Sequence, residues 1–250
     1  MANKNETGHP VNVANYDELL AFVLGYGVDF NPTKKSIKTD ALQLVSTNAN
    51  NALAAVNLAL PPYSNAVAAR EAVFEPLSRL VTRLVNGLKA TDASKQVVDS
   101  AKSLGRKIQG VRAKPKKTEA QKKALLAKGV EVVEISSSQV GYNNLVSNFD
   151  QLINLLASIS VFEPNEEDLK ISSLTVLYND FKDKNAAVIA AKAPISNARL
   201  VRNRILYKEK TGLYDVASDV KTYVKSLYGA TSPQYKQISQ LKFTKIKQQL

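Results

Sequence analysis

Apolar residues recur along this chain at helical rather than alternating spacing. Ile37, Ala41, Leu44, Ala52, Ala55 and Ala59 keep the i, i+3, i+4, i+7 steps of one helix face, and Leu169, Val176, Ala187 and Ala191 repeat the pattern later. The pattern predicts helices that each bury one stripe. Apart from a short VEVVEI at Val130 to Ile135, no alternating run of strand length competes. Alanines crowd the same stretches, at Ala54 and Ala55 and again at Ala186, Ala187 and Ala190, which fits helices in close approach.

The two patterned stretches belong to an internal repeat. Shifted by 132 residues, Phe30 to Glu75 falls on Phe162 to Tyr207 without a gap. The densest match sets PPYSNAVAAR against APISNARLVR, placing Pro62, Ser64, Asn65, Ala66 and Arg70 on Pro194, Ser196, Asn197, Ala198 and Arg202. Upstream, with a slip of one, NYDELLAFV from Asn15 matches NFDQLINLL from Asn148.

Four helices are predicted in each copy. The first starts near Tyr16 or Phe149. The second opens at Asn31-Pro32 or Glu163-Pro164, where proline suits the first helical position. Pro62 and Pro194 are expected to end it, with Ser64 and Ser196 capping the third helix, because proline removes a donor and disfavours helical geometry before itself. In the first copy the third helix runs from about Asn65 to Lys89; in the second, KEKTG at Lys208 to Gly212 breaks it. The fourth follows Thr91-Asp92 or Thr231-Ser232-Pro233. The expected fold is all-α, a tandem duplication of an antiparallel four-helix bundle. Its parts are a flexible N-terminus at 1–14, copy one at 15–112, a Lys-rich connector at 113–146 and copy two at 147–250.

Composition narrows the chemistry. The 250 residues hold no cysteine, which excludes disulfides, thiol nucleophiles and cysteine metal sites. The one histidine, His9, lies in a polar N-terminal stretch expected to be disordered, so no cofactor, metal or catalytic residue is predicted. Phosphate-binding, dinucleotide-binding and nucleophile-elbow motifs do not occur, and the acidic Glu166, Glu167 and Asp168 suit the first turn of a helix. The N-terminus shows no apolar leader, and the uncharged stretch Ala41 to Ala69 is interrupted by asparagines and prolines, so a cytoplasmic protein without membrane contact is expected.

Charge supplies the candidate contacts. Of the net charge of +12, Lys102 to Lys128 carries ten basic residues against Glu119 alone. Lys114, Lys116, Lys117, Lys122, Lys123 and Lys128 form a possible nonspecific nucleic-acid contact, because clustered lysines neutralise phosphates. A solvated linker explains them as well, and neither interleaved aromatics nor a groove-reading motif accompanies them. A second cluster belongs to copy two. Arg70 and Arg202 are shared by both copies and read as structural, whereas Arg199, Arg204, Lys208 and Lys210 have no counterpart, making them the better guesses for a specific contact. Tyr207, Tyr214, Tyr223, Tyr228 and Tyr235 read as plugs at helix junctions.

PNEEDLK, PISNAR and GATSPQYKQISQLKFTKIK resemble stretches of an uncharacterised all-helical bacterial protein family with no known activity. The resemblance covers mainly copy two and implies a stand-alone helical protein, transferring no site residue. The expected function is therefore a non-enzymatic binding or scaffold protein with a protein partner. Nonspecific nucleic-acid association through the connector is the alternative, and an enzyme with scattered Arg, Tyr, Asn and Asp residues is a weaker one.

Overall fold

The computed structural model describes residues 7–111, 118–129 and 140–246. Among them the regular structure is helical throughout, with no strand, as the periodicity predicts. The helices are α1 His9–Gly25, α2 Thr39–Phe74, α3 Leu77–Lys89, α4 Lys95–Gln109, α5 Glu119–Leu126, α6 Tyr142–Ala157, α7 Ile171–Tyr207, α8 Leu213–Tyr228 and α9 Pro233–Ser239. Short 3₁₀ turns at Lys35–Ile37 and Glu167–Leu169 precede α2 and α7. The sequence offset of 132 carries one turn onto the other and Thr39, the start of α2, onto Ile171, the start of α7. No helix among the described residues is long and apolar enough to cross a membrane.

Several expectations are corrected, beginning with the second helices, which start at Thr39 and Ile171 rather than at Asn31-Pro32 and Glu163-Pro164. The N-terminus is helical from His9, with Pro10 in its first turn, because Val13, Tyr16, Leu19 and Val23 give α1 a face to bury. Copy two begins at Tyr142, inside the stretch assigned to the connector; VEVVEI lies outside the described residues. Most consequentially, Pro61, Pro62 and Pro194 sit inside α2 and α7, so no hairpin turn forms there and Ser64 and Ser196 cap nothing. Each proline deprives the carbonyl four residues earlier of its donor. Those carbonyls belong to Asn57, Leu58 and Ala190, all exposed residues, and a backbone carbonyl reached by solvent loses little when its helical donor is missing. The breaks come later, at Glu75-Pro76 and at Lys208 to Gly212.

The expected stripe holds at Ile37, Ala52 and Leu169, which are buried, and fails at other positions of the long helices. Leu42, Ala49 and Val56 on α2 and Leu174, Phe181, Val188 and Ile195 on α7 are buried every seventh residue, while Leu44 and Val176 stand 60% and 70% exposed. A strict seven-residue step is the narrow seam of a helix that packs along a neighbour.

The chain forms two compact units that do not follow the two copies. Unit 1 comprises Met1–Ser64 and Ala191–Leu250, and unit 2 comprises Asn65–Ala190. In unit 1, α1 and the Lys35–Ile37 turn of copy one pack on α8 of copy two, and α1 also meets α9. Their core gathers Tyr16, Leu19, Val23, Phe30, Leu42, Leu206, Leu213 and Val220. In unit 2, α6 and the Glu167–Leu169 turn of copy two pack on α4 and α3 of copy one, around Phe74, Leu84, Leu88, Phe149, Leu152 and Phe181. Each unit thus joins the N-terminal part of one copy to the C-terminal part of the other. Two bundles built from contiguous copies do not occur, because α2 and α7 run straight through the prolines that were expected to fold them back.

Candidate binding cleft

The copy-two basic cluster resolves into a cleft in unit 1. Arg204 and Lys208, four residues apart, project from the same side at the carboxyl end of α7 and just beyond it. With Val45 and Asn48 of α2, Ile205 of α7 and Thr211 of the following turn, they line an open cleft of about 260 Å³. Val45 and Ile205 are half-buried against the unit 1 core, while Asn48, Arg204, Lys208 and Thr211 are exposed. Among the described residues the Arg204 and Lys208 side chains make no ion pair or hydrogen bond.

The turn that carries Lys208 and Thr211 is built for one backbone path. The Gly212 amide donates to the Lys208 carbonyl at 2.7 Å, and a Cβ on Gly212 would lie 2.6 Å from the Lys208 nitrogen. Lys210 occupies the left-handed region at φ 66°, and its amide donates to Asp215 Oδ2 at 2.6 Å. The side chain of Lys210 does not line the cleft, nor does that of Arg199, which points to another side of α7. Of the four candidates, then, two converge. Asn48 and Val45 were not legible as partners, because they come from the other copy.

The connector contributes differently. Lys114, Lys116 and Lys117 lie outside the described residues. α5 starts with a capping box in which Thr118 and Gln121 satisfy each other's amides, and it buries no residue. Lys122 pairs with Glu119 at 2.8 Å, and Lys123 and Lys128 are exposed.

Among the described residues the shared arginines meet no carboxylate. Arg70 lies 3.8 Å from the centroid of the Tyr142 ring and donates to Asn185 Oδ1 at 3.2 Å, leaving its buried Nε without a partner. Arg202 donates through Nε and Nη2 to Asn203 Oδ1. Nearby, His9 Nδ1 lies 2.8 Å from the Tyr207 hydroxyl, which accepts from Asn12 Nδ2 at 3.1 Å. Asn12 also holds residue 244, donating to its carbonyl at 2.8 Å and accepting from its amide at 3.0 Å. Burial, with a smaller contribution from Arg202, pushes the His9 imidazole below its ordinary value, and burial raises the Tyr207 phenol. His9 is part of a structural knot that ties α1 to Tyr207 and Thr244.

The late tyrosines pack as junction plugs. Tyr223 meets Phe30 edge to face at 5.2 Å, Tyr228 meets Tyr26 at 5.5 Å, and Tyr214 and Tyr235 rest on the unit 1 core. Searched against protein-family models, curated proteins and solved structures, the chain matches none.

Proposed function

We propose that this is a non-enzymatic, cytoplasmic binding or scaffold protein that engages a partner protein at the Arg204–Lys208 cleft. The observation that carries the reading is the pairing of two exposed, partnerless cations with a half-buried aliphatic floor at Val45 and Ile205. Contact surfaces combine such an apolar centre with a polar, solvent-reached rim. Exposed Leu58 and Leu200 of unit 1 add apolar surface to the same two long helices. A photoreactive amino acid replacing Asn48 or Thr211 should yield protein adducts in cell extract, while one replacing exposed Ser100 on α4 should not. Equal yields from all three positions would remove the cleft as the contact.

The shared offset of turns and helix starts supports a duplicated ancestor, with the copies exchanging halves. A second reading, nonspecific association with nucleic acid, is favoured by the +9 carried between Lys102 and Lys128. Such binding acts through phosphates, so it weakens steeply from low to physiological salt with little preference among sequences. Mobility shifts across a salt series test it, and salt-resistant, sequence-selective binding would count against it.

A further inference from the structure

We propose that the cleft recognises an acidic peptide segment in which a carboxylate lies next to an aliphatic side chain. The inference rests on the reading that a protein partner docks there, and it names what that partner presents. Charge is the first reason. Arg204 and Lys208 converge on a cleft whose lining contains no carboxylate, in contrast to pairs such as Lys34 with Asp219 and Lys184 with Asp180, where the cation already holds an acid. An anion entering it gains two charge-assisted contacts without displacing an existing one. Asn48 and Thr211 add neutral hydrogen-bonding groups at the rim.

The apolar floor selects among anions. Val45 and Ile205 offer a surface that an aliphatic side chain covers and a phosphate does not. The cleft also sits at the carboxyl end of α7, which opposes any anion and offers carbonyl rather than amide groups, so the attraction must come from the two cations. A small dianion finds no cradle of backbone donors here, in contrast to a helix N-terminus. The volume of about 260 Å³ suits one or two side chains of a peptide.

The repeat supplies an internal control. At the offset of 132, Arg204 corresponds to Ala72, Asn48 to Asp180, and the floor residues Val45 and Ile205 to Leu177 and Val73, while Lys208 lies just past the gapless match. Unit 2 keeps the floor, with Leu177 and Val73 packed on its core, and lacks both cations. The floor therefore occurs in both units, while the cations and the turn holding Lys208 occur in one alone. A fold requirement would have placed them in both.

The test uses the full chain with methyl-labelled Val and Ile, titrated with a short Asp-Leu-Glu peptide, its Asn-Leu-Gln analogue and inorganic phosphate. The acidic peptide should shift the Val45 and Ile205 methyl signals. Arg204→Gln with Lys208→Gln should weaken that binding roughly fivefold to tenfold, as expected for two exposed ion pairs. Arg199→Gln with Lys192→Gln, which removes the same charge from α7 outside the cleft, should leave it within about twofold. Equal binding of both peptides would overturn the acidic specificity while sparing the protein-docking reading. Phosphate that displaces the peptide at equal concentration would overturn the inference in favour of a small-anion site. If no peptide moves the Val45 and Ile205 signals, the inference fails; if photoadducts at Asn48 and Thr211 are also absent, the docking reading fails with it.

Discussion

Arg83 grips the Asp168 carboxylate through both of its Nη atoms, joining α3 of copy one to the Glu167–Leu169 turn of copy two. In unit 1 the corresponding junction, α8 against the Lys35–Ile37 turn, is bridged by Asp219 and Lys34 with the charges reversed. At an offset of 136, which sets the core residues Leu77, Val81, Leu84 and Leu88 of α3 on Leu213, Ala217, Val220 and Val224 of α8, Arg83 falls on Asp219, so a copy folded on itself would bring Lys34 to Arg83 and Asp168 to Asp219. Like charges would then meet at both junctions, whereas the exchanged arrangement pairs opposites at both. These pairs are half-exposed and individually weak, so they bias the choice of partner rather than hold the fold.

Asp168→Arg should therefore lower stability, and adding Arg83→Asp should restore part of the loss. Chemical denaturation of the two single variants and the double variant measures the coupling. Strict additivity would show that the pair contributes nothing.

Phe181 is fully buried between Phe74, stacked at 4.1 Å, and Phe149, tilted at 5.4 Å. Phe181→Ala should cost about 3–5 kcal/mol in denaturant melts. Its counterpart at the offset of 132 is Ala49, also fully buried, so Ala49→Phe should overpack unit 1 and cost about 1–3 kcal/mol.

Pro62→Ala and Pro194→Ala should each raise the unfolding free energy, by about 1–3 kcal/mol, because proline inside a helix is that much less favourable than alanine. A turn at these sites would instead be weakened by losing its proline. A lowered melting temperature for both variants would contradict the continuous helices.

The Tyr207 hydroxyl accepts from Asn12 and shares a hydrogen bond of 2.8 Å with His9 Nδ1. Burial holds the folded imidazole below its ordinary 6.5. Between the folded value and 6.5 the unfolded chain binds more protons, so stability is fully present above about 6.5 and falls as the pH drops below it. Comparing denaturation of the wild type and His9→Gln from pH 7.5 to 5 isolates this contribution, and the variant should lose the slope.

Helix content and the repeat could be read from residue spacing alone, since both are local properties. The course of α2 and α7 could not. Pro62 and Pro194 are strong local stop signals, yet they are overruled where the freed carbonyls belong to exposed residues and both flanks are helical. Leu42 is buried and Leu44 exposed, a difference that spacing hides because the many alanines around them fit any face; the buried Phe181 and Val188 mark the same face only through packing. The cleft was half legible. Arg204 and Lys208 stood out because the other copy lacks them, whereas Val45 and Asn48 join them only through the exchange of halves, which no spacing within one copy encodes.

That exchange is the claim on which the cleft depends, and nuclear Overhauser contacts test it directly. Phe30 and Phe162 are equivalent in the two copies, and Phe30 packs on Tyr223 while the Phe162 ring lies beside Gly87. Selective labelling should show cross-peaks from Phe30 to Tyr223 and from Phe162 to Gly87. Cross-peaks from Phe30 to Gly87 and from Phe162 to Tyr223 would place each copy on itself and contradict the account.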